Sequence, residues 1–338
     1  MKTYSKKDLN EYHFSLTYDD ISLIPTEVSR IKSRTEASTK CNFLGHDLAV
    51  PVVSSPMDTV TGIAMAEELT DLGCLGILNR FDSSLEQILN GSGGANLRGV
   101  SIALNTEMDV VERLAEKNYV ICIDTANANN RSVLNKTEEI KKRFSSVKLM
   151  VGNIAHGATL KQLEESGADA VRVGIGSGSV CTTSIQTGIG IGQVSSLLNV
   201  IFSKEKSKLN IKIIADGGIK SPGDVAKAMA LGADAVMLGR MLAGTKETPS
   251  EVIKYNGQLW KKYRGSASFG VKMRNEFIEG EETMVPYKGQ VKSVIDSISD
   301  GLKSAMSYMN CFSLEELRKT ETFAVLSNSS FLERLPKM

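Results

Sequence analysis

At 338 residues the chain is long enough for one large α/β domain or two smaller ones, and its 41% hydrophobic content suits a large core. Forty basic against 39 acidic residues leave a formal charge of +1, so neither a nucleic-acid groove nor a membrane surface is an expected partner. No apolar run reaches transmembrane length, residues 1–8 lack the core of a signal peptide, and five scattered cysteines without a CxxC pair predict free thiols in a reducing cytoplasm.

Eight short, nearly continuous apolar runs follow along the chain, at 49–54, 74–79, 98–104, 119–124, 148–153, 170–174, 211–216 and 235–239. Such runs suit parallel strands buried on both faces. Amphipathic stretches lie between them, clearest at 60–72, 106–117, 129–143, 157–167 and 223–231; the region between the sixth and seventh runs is less regular. Eight similar repeats without a topology break predict a closed (β/α)8 TIM barrel as a single domain over 1–338, with a doubly wound open sheet as the alternative. Residues 245–290 fit no further repeat and predict a polar insertion, a mobile flap over the catalytic face. A last barrel helix is expected over 291–309, then a tail long enough to reach a neighbouring subunit.

The strand ends are polar and glycine-rich: Ser54-Ser55, Asp124, Gly152-Asn153, Asp216-Gly217-Gly218 and Gly239-Arg240. In a barrel these ends share one face, where active sites sit. The richest is Gly174 to Thr183, a glycine-rich loop ending in Cys181 with hydroxyls at Thr182 and Thr183. Glycines let a backbone bend sharply and bring N–H groups near an anion, and a cysteine there is placed to attack what the anion anchors. Taken alone, the loop fits a structural turn with a half-buried thiol equally well. Histidines 13, 46 and 156 show no metal-ligand spacing, so no zinc site is expected. No GxGxxG follows a strand, so a Rossmann dinucleotide site is not expected.

These residues carry a resemblance. Leu16-Thr-Tyr-Asp-Asp-Ile-Ser-Leu-Ile-Pro25, Ser54-Ser-Pro-Met-Asp-Thr-Val-Thr61, Ile123-Asp-Thr-Ala-Asn127, Gly152-Asn153, the Cys181 loop, Asp216-Gly-Gly-Ile219 with Pro222-Gly-Asp224, and Met237-Leu-Gly-Arg-Met-Leu-Ala-Gly244 span nearly the whole chain. The chain resembles the IMP dehydrogenase/GMP reductase family. Too few residues separate the second and third strands to hold the CBS modules usual in IMP dehydrogenases. Val271-Lys-Met-Arg-Asn-Glu276 stands where those enzymes carry a water-activating Arg-Tyr pair, and the spacing from Glu279 to Val285-Pro286 is similar to that of GMP reductases. Both points favour the reductase branch.

The resemblance implies that Cys181 attacks C2 of GMP, that ammonia leaves a covalent thioimidate, and that a hydride from NADPH completes IMP. Thr183 and Glu279 match the family's proton relay, with Glu276 a competing carboxylate. Asp216 would hold the ribose. Ser179, Gly218, Gly239, Arg240 and Tyr263 would hold the phosphate. Ser55, Met57, Asn153 and Arg172 match nucleotide-side positions, with Gly265 and Ser266 beside the base. Asp124, with Thr125 and Ala126, matches the cofactor ribose position, although a strand-end aspartate equally caps a helix. Carbonyls of Gly174, Gly176 and Cys181 match a potassium site, and a homotetramer is implied. Three departures stand out: Ser184 where many relatives have arginine, Arg240 where they have a small residue, and Ser266-Ala267 where they have a methionine-containing wall against the purine. The last makes a modified or deoxy guanine nucleotide a possible substrate. A CBS-less IMP dehydrogenase using NAD+ and a non-catalytic purine-nucleotide-binding homologue are the alternatives.

Overall fold

Eight strands form one parallel sheet in the computed structural model, which describes residues 3–82, 84–91, 94, 96–268 and 279–334. They are β1 (Val52–Ser54), β2 (Ile77–Leu78), β3 (Gly99–Ile102), β4 (Val120–Asp124), β5 (Leu149–Ile154), β6 (Ala170–Val173), β7 (Lys212–Asp216) and β8 (Ala235–Leu238). Neighbours in sequence are neighbours in space, and β8 pairs with β1. A parallel bridge from Val53 to Leu75 joins β1 to the residues before β2, so the sheet closes as a (β/α)8 barrel.

The apolar runs become strands because both faces are covered. Ala170–Val173 and Ala235–Leu238 are buried at every position. One set of side chains faces inward: Val53, Ile77, Val120, Cys122, Met150, Ala170, Ile214, Ala235 and Met237 form a cluster with Phe43, Leu44 and Leu48. The last three belong to a hairpin, Cys41–Phe43 with His46–Leu48, that plugs the barrel floor. The opposite set packs under the helices.

The helices fall where the amphipathic pattern places them, at Ile63–Asp71, Met108–Glu116, Arg131–Arg143, Leu160–Glu165 and Pro222–Leu231. Local chemistry starts them. Ser221 caps the last by accepting from the Asp224 N–H, with Pro222 in the first turn. The irregular region before β7 holds Thr183–Thr187 and Gln193–Ser207. Between β2 and β3 the described residues hold only the short helix Ser84–Leu89.

Residues 245–290 contain more order than their polarity predicts. Val252–Tyr255, Gln258–Arg264 and Glu282–Pro286 form a three-stranded antiparallel sheet. The 271–276 segment and Glu276 lie outside the described residues. The end of the chain carries further order. After the helix Val291–Tyr308, strand Thr322–Val325 returns to its own N-terminus and lies between Tyr4–Ser5 and Ile21–Leu23.

Candidate active site

Strand periodicity builds the floor of the site. Cys122, Met150, Ala170 and Ile214 belong to the inward apolar layer. Two residues further along the same strands, on the same face, come Asp124, Gly152, Arg172 and Asp216. Arg172 Nη1 donates to Asp124 Oδ1 at 2.7 Å, and its Nε donates to Asp216 Oδ2 at 3.0 Å. Gly152 makes room for it, since a Cβ there would sit 2.4 Å from the Arg172 Cβ. Burial opposes the charge on Arg172, but Cys122, Asp216 and Asp124 outweigh it and hold its pKa above the ordinary value. The Cys122 thiol beneath is pushed up to about 11, chiefly by burial. Asn153 Nδ2 bridges Asp216 Oδ2 at 2.9 Å and the Gly174 carbonyl at 2.8 Å.

The Cys181 loop rises from the end of β6. Gly174 has φ +143°, and a Cβ there would meet the Asp216 carbonyl at 1.9 Å, so only glycine fits. Gln193 fixes the loop base, donating to the Val173 carbonyl at 2.6 Å and accepting from Ser177 Oγ at 2.9 Å. At the loop end, Cys181 Sγ lies 3.2 Å from Thr183 Oγ1, which donates to Glu279 Oε2 at 2.7 Å.

The insertion reaches this loop through two legs. Thr182 N donates to the Glu279 carbonyl at 2.9 Å, and Glu281 N to the Val180 carbonyl at 3.0 Å. The legs also hold each other, with Gly265 N to Glu281 O at 3.0 Å and Glu279 N to Ala267 O at 3.1 Å. A Cβ on Gly265 would sit 3.2 Å from the Val180 carbonyl and 3.3 Å from the Gly280 Cα, so any side chain here would push these neighbours back by a few tenths of an ångström.

A cavity of ≈ 340 Å³ opens above these groups. Of the residues singled out from sequence, Cys181, Thr183, Glu279, Ser55, Met57, Asn153, Arg172, Asp216, Gly265, Ser266, Asp124, Thr125, Ala126, Gly174 and Gly176 all line it. The expected phosphate anchors Ser179, Gly218, Gly239, Arg240 and Tyr263 do not. Ser179 Oγ lies 3.2 Å from Tyr263 Oη, and a Cβ on Gly239 would sit 3.0 Å from that oxygen and 3.4 Å from Ser55 Oγ. These groups therefore converge beside the cavity, next to Ser55. Burial raises the pKa of Tyr263, so it is a neutral hydroxyl there. Gly218 faces an adjoining cavity with Tyr18, and Arg240 is exposed. Ser184 is exposed, with its Cβ 3.0 Å from the position a Gly190 Cβ would take and 3.3 Å from that of Gly176. Among the described residues no group of three or more His, Cys, Asp or Glu is placed to hold a metal ion.

Residues 15–337 match the sequence model of the IMP dehydrogenase / GMP reductase domain. The chain belongs to this family. A GMP reductase of Clostridium acetobutylicum is 36% identical over 93% of the chain and 96% of its own length. A GMP reductase of Streptococcus gordonii is 35% identical, covering 95% and 98%. The inosine-5'-monophosphate dehydrogenase of Borreliella burgdorferi is 32% identical over 95% and 96%.

In this member of the IMP dehydrogenase/GMP reductase family one cavity residue escaped the reading of the sequence. Arg80, just past β2, lines the same space and contacts Asp124 Oδ2 at 3.4 Å. Its guanidinium lies 4.2 Å from the Phe81 ring, and its buried Nε has no hydrogen-bond partner among the described residues. A charged residue directly after an apolar run was the available signal.

Proposed function

We propose that this oxidoreductase carries out the NADPH-dependent reductive deamination of GMP, or a closely related guanine nucleotide, to IMP and ammonia. The observation that carries the reading is the relay from Cys181 Sγ through Thr183 Oγ1 to Glu279 Oε2, at 3.2 and 2.7 Å, on the cavity wall. A thiol needs its proton removed to act as a nucleophile, and an amine needs a proton to leave. One relay serves both needs. The thiol proton passes through the Thr183 hydroxyl to Glu279 as the S–C2 bond forms. The same relay returns it to the 2-amino group as the C2–N bond breaks and ammonia departs. Cys181 is released as thiolate when C2 has accepted a hydride, and takes a proton from solvent.

Asp216 is the ribose ligand in this reading, since a carboxylate accepts from two hydroxyls. Ser55, Met57, Asn153 and Arg172 stand on the nucleotide side, with Gly265 and Ser266 against the base. Ser179, Gly218, Gly239, Tyr263 and Arg240 surround the phosphate. Asp124, Thr125 and Ala126 would hold NADPH, which when bound supplies the hydride. The orphaned Arg80 Nε beside Asp124 fits an acceptor-bearing group there. On family likeness the carbonyls of Gly174, Gly176 and Cys181 would hold a potassium ion. Family likeness extends the proposal to a single working barrel assembled as a homotetramer in the cytoplasm. Exposed Ile185 and Ile189 beside the Cys181 loop support a protein contact there.

The test is a panel of GMP, dGMP, IMP, XMP and modified guanine nucleotides with NADPH, NADH and NAD+, read by the absorbance of reduced nicotinamide. NADPH oxidation with a guanine nucleotide and IMP as product is expected. Robust XMP formation from IMP with NAD+ would place the chain with the dehydrogenases instead.

A further inference from the structure

Both turns that supply proposed phosphate anchors carry a cation at the edge of that site that also lines a neighbouring cavity. Gly218 is followed two residues later by Lys220, and Gly239 directly by Arg240. Lys220 and Arg240 line a separate cavity of ≈ 390 Å³ with Lys288, which comes from the stretch after the insertion sheet. The remaining lining is neutral and includes the hydroxyls of Ser293 and Ser297. Three cations from three distant segments therefore share one space with no carboxylate in its wall.

Their partners leave the space positive. Lys220 pairs with Asp19. Lys288 makes no ion pair among the described residues; its Nζ donates to the carbonyls of Arg240 at 3.0 Å and Met241 at 3.1 Å. Those bonds tie it to the turn that carries Arg240. Among the described residues no carboxylate lies within ion-pair distance of Arg240. Partial desolvation and the charge of Arg240 both lower the pKa of Lys288, as uncompensated like charges do.

We propose that this cavity receives a second phosphoryl group, so that the protein binds purine nucleoside 5′-diphosphates more tightly than monophosphates. The inference rests on the proposed placement of the first phosphate between Gly218, Gly239, Ser179 and Tyr263. Gly218 and Lys220 share the adjoining cavity, and Arg240 follows Gly239 directly with Lys288 bonded to its carbonyl, so a further phosphoryl group would lie toward these three cations. A terminal phosphoryl group carries about −1.5 to −2 charges near neutral pH, which the two unpaired cations balance. Arg240 adds a planar fork that matches phosphate oxygens, and the lysines act as point charges. A small residue at 240 would supply neither. Bound this way a diphosphate competes with the substrate at the same site.

The experiment is calorimetric titration of the intact protein with GMP, GDP and inorganic phosphate, for the wild type, K288Q and K220Q. Neither lysine belongs to the proposed catalytic or first-phosphate machinery. In the wild type at low salt GDP should bind about 10-fold tighter than GMP, the effect of roughly one charge-assisted contact. Each variant should lose most of that preference while GMP affinity stays within about 2-fold, and added KCl should shrink the wild-type preference. Glutamine can still donate to the carbonyls that Lys288 holds, so K288Q tests the charge and not the turn. GDP binding no tighter than GMP, or a preference untouched in both variants, overturns the inference. So does inorganic phosphate binding alone at a lysine-dependent site that GDP does not share. The cofactor's 2′-phosphate is the other source of the same chemistry, and a lysine-dependent preference for NADPH over NADH without one for GDP would assign the cavity to it. Failure of GMP to turn over would count against the reductase reading only, because the GDP titration reads binding.

Discussion

Replacing Arg172 with methionine removes the cation between Asp124 and Asp216 and keeps an unbranched side chain of similar reach. The three side chains are 9%, 11% and 14% exposed, so both carboxylates would be left nearly dehydrated without their main counter-charge. Breaking a buried pair this way costs about 3–5 kcal/mol. Asp124 keeps Arg80 at 3.4 Å and Asp216 keeps the Asn153 amide at 2.9 Å, which puts the loss near the lower end, about 3 kcal/mol. With an unfolding entropy of roughly 2.1 cal/mol/K per residue, that corresponds to a fall in Tm of about 4 °C for a chain of this length. The loss should depend on pH in a definite direction. An aspartate left buried beside another binds protons in the folded state that it releases when unfolded near its usual pKa of about 3.9. Stability of the variant relative to wild type therefore falls as pH rises above that value. Thermal melts of wild type and R172M at about pH 5 and about pH 8 test this, with the larger gap expected at the higher pH. Equal melting temperatures at both would show that Arg172 carries no charge-balancing role.

Cys181→Ala should abolish turnover with nucleotide binding largely intact, and mass spectrometry of the wild type trapped with substrate should show the adduct on Cys181; an active variant would remove the covalent mechanism. Glu279→Gln keeps an acceptor for Thr183 but no base, so kcat should drop about 10²–10⁴-fold with little change in KM, and the part of the pH–rate profile set by that carboxylate should disappear. Ser266→Met should shift the kcat/KM ratio toward plain GMP, because a hydroxyl beside the base can pair with a polar edge and a thioether cannot match it; a wild type that already prefers GMP, with an unchanged ratio in the variant, would reduce Ser266 to packing. Burial pushes the Cys122 thiol up to about 11 and the Cys74 thiol up to about 12, while unfolded thiols ionise near about 8.5. The folded state therefore keeps protons that the unfolded state gives up, and Tm should fall steadily as pH rises from about 9, less steeply in Cys74→Ala.

The barrel was legible because a parallel strand covered on both faces has to be apolar throughout, and β6 and β8 are. The insertion sheet was not legible. Its strand Gln258–Arg264 alternates exposed and buried positions, and two of the inward residues are Lys261 and Tyr263. Lys261 is only 3% exposed because the carbonyls of Thr245, Lys246 and Thr248 take its ammonium at 2.8–3.1 Å, a local solution that hydrophobic periodicity does not encode. The floor hairpin and the pairing of Thr322–Val325 with the N-terminus were hidden for another reason. The hairpin pairs locally, but its packing against the barrel strands, like the pairing of Thr322–Val325, joins residues far apart in sequence, and the segments are short. At the site, strand-end polarity indicated where chemistry could occur, and the resemblance assigned roles. What neither supplied was the ion-paired layer: Arg172 looks out of place in an apolar strand until Asp124 and Asp216 are seen on either side of it.

The two legs of the insertion have a consequence for how this enzyme can change. One leg carries Ser266 on the cavity wall, the other carries Glu279 against Thr183, and main-chain bonds from Gly265 to Glu281 and from Glu279 to Ala267 lock them into one piece. A substitution that shifts the base wall by a few tenths of an ångström also re-aims the carboxylate. In the proposed roles of Ser266 and Glu279, selectivity and proton delivery are thus inherited together. A lineage that adapts this cavity to a different ligand must find changes that alter side-chain chemistry without moving the shared backbone.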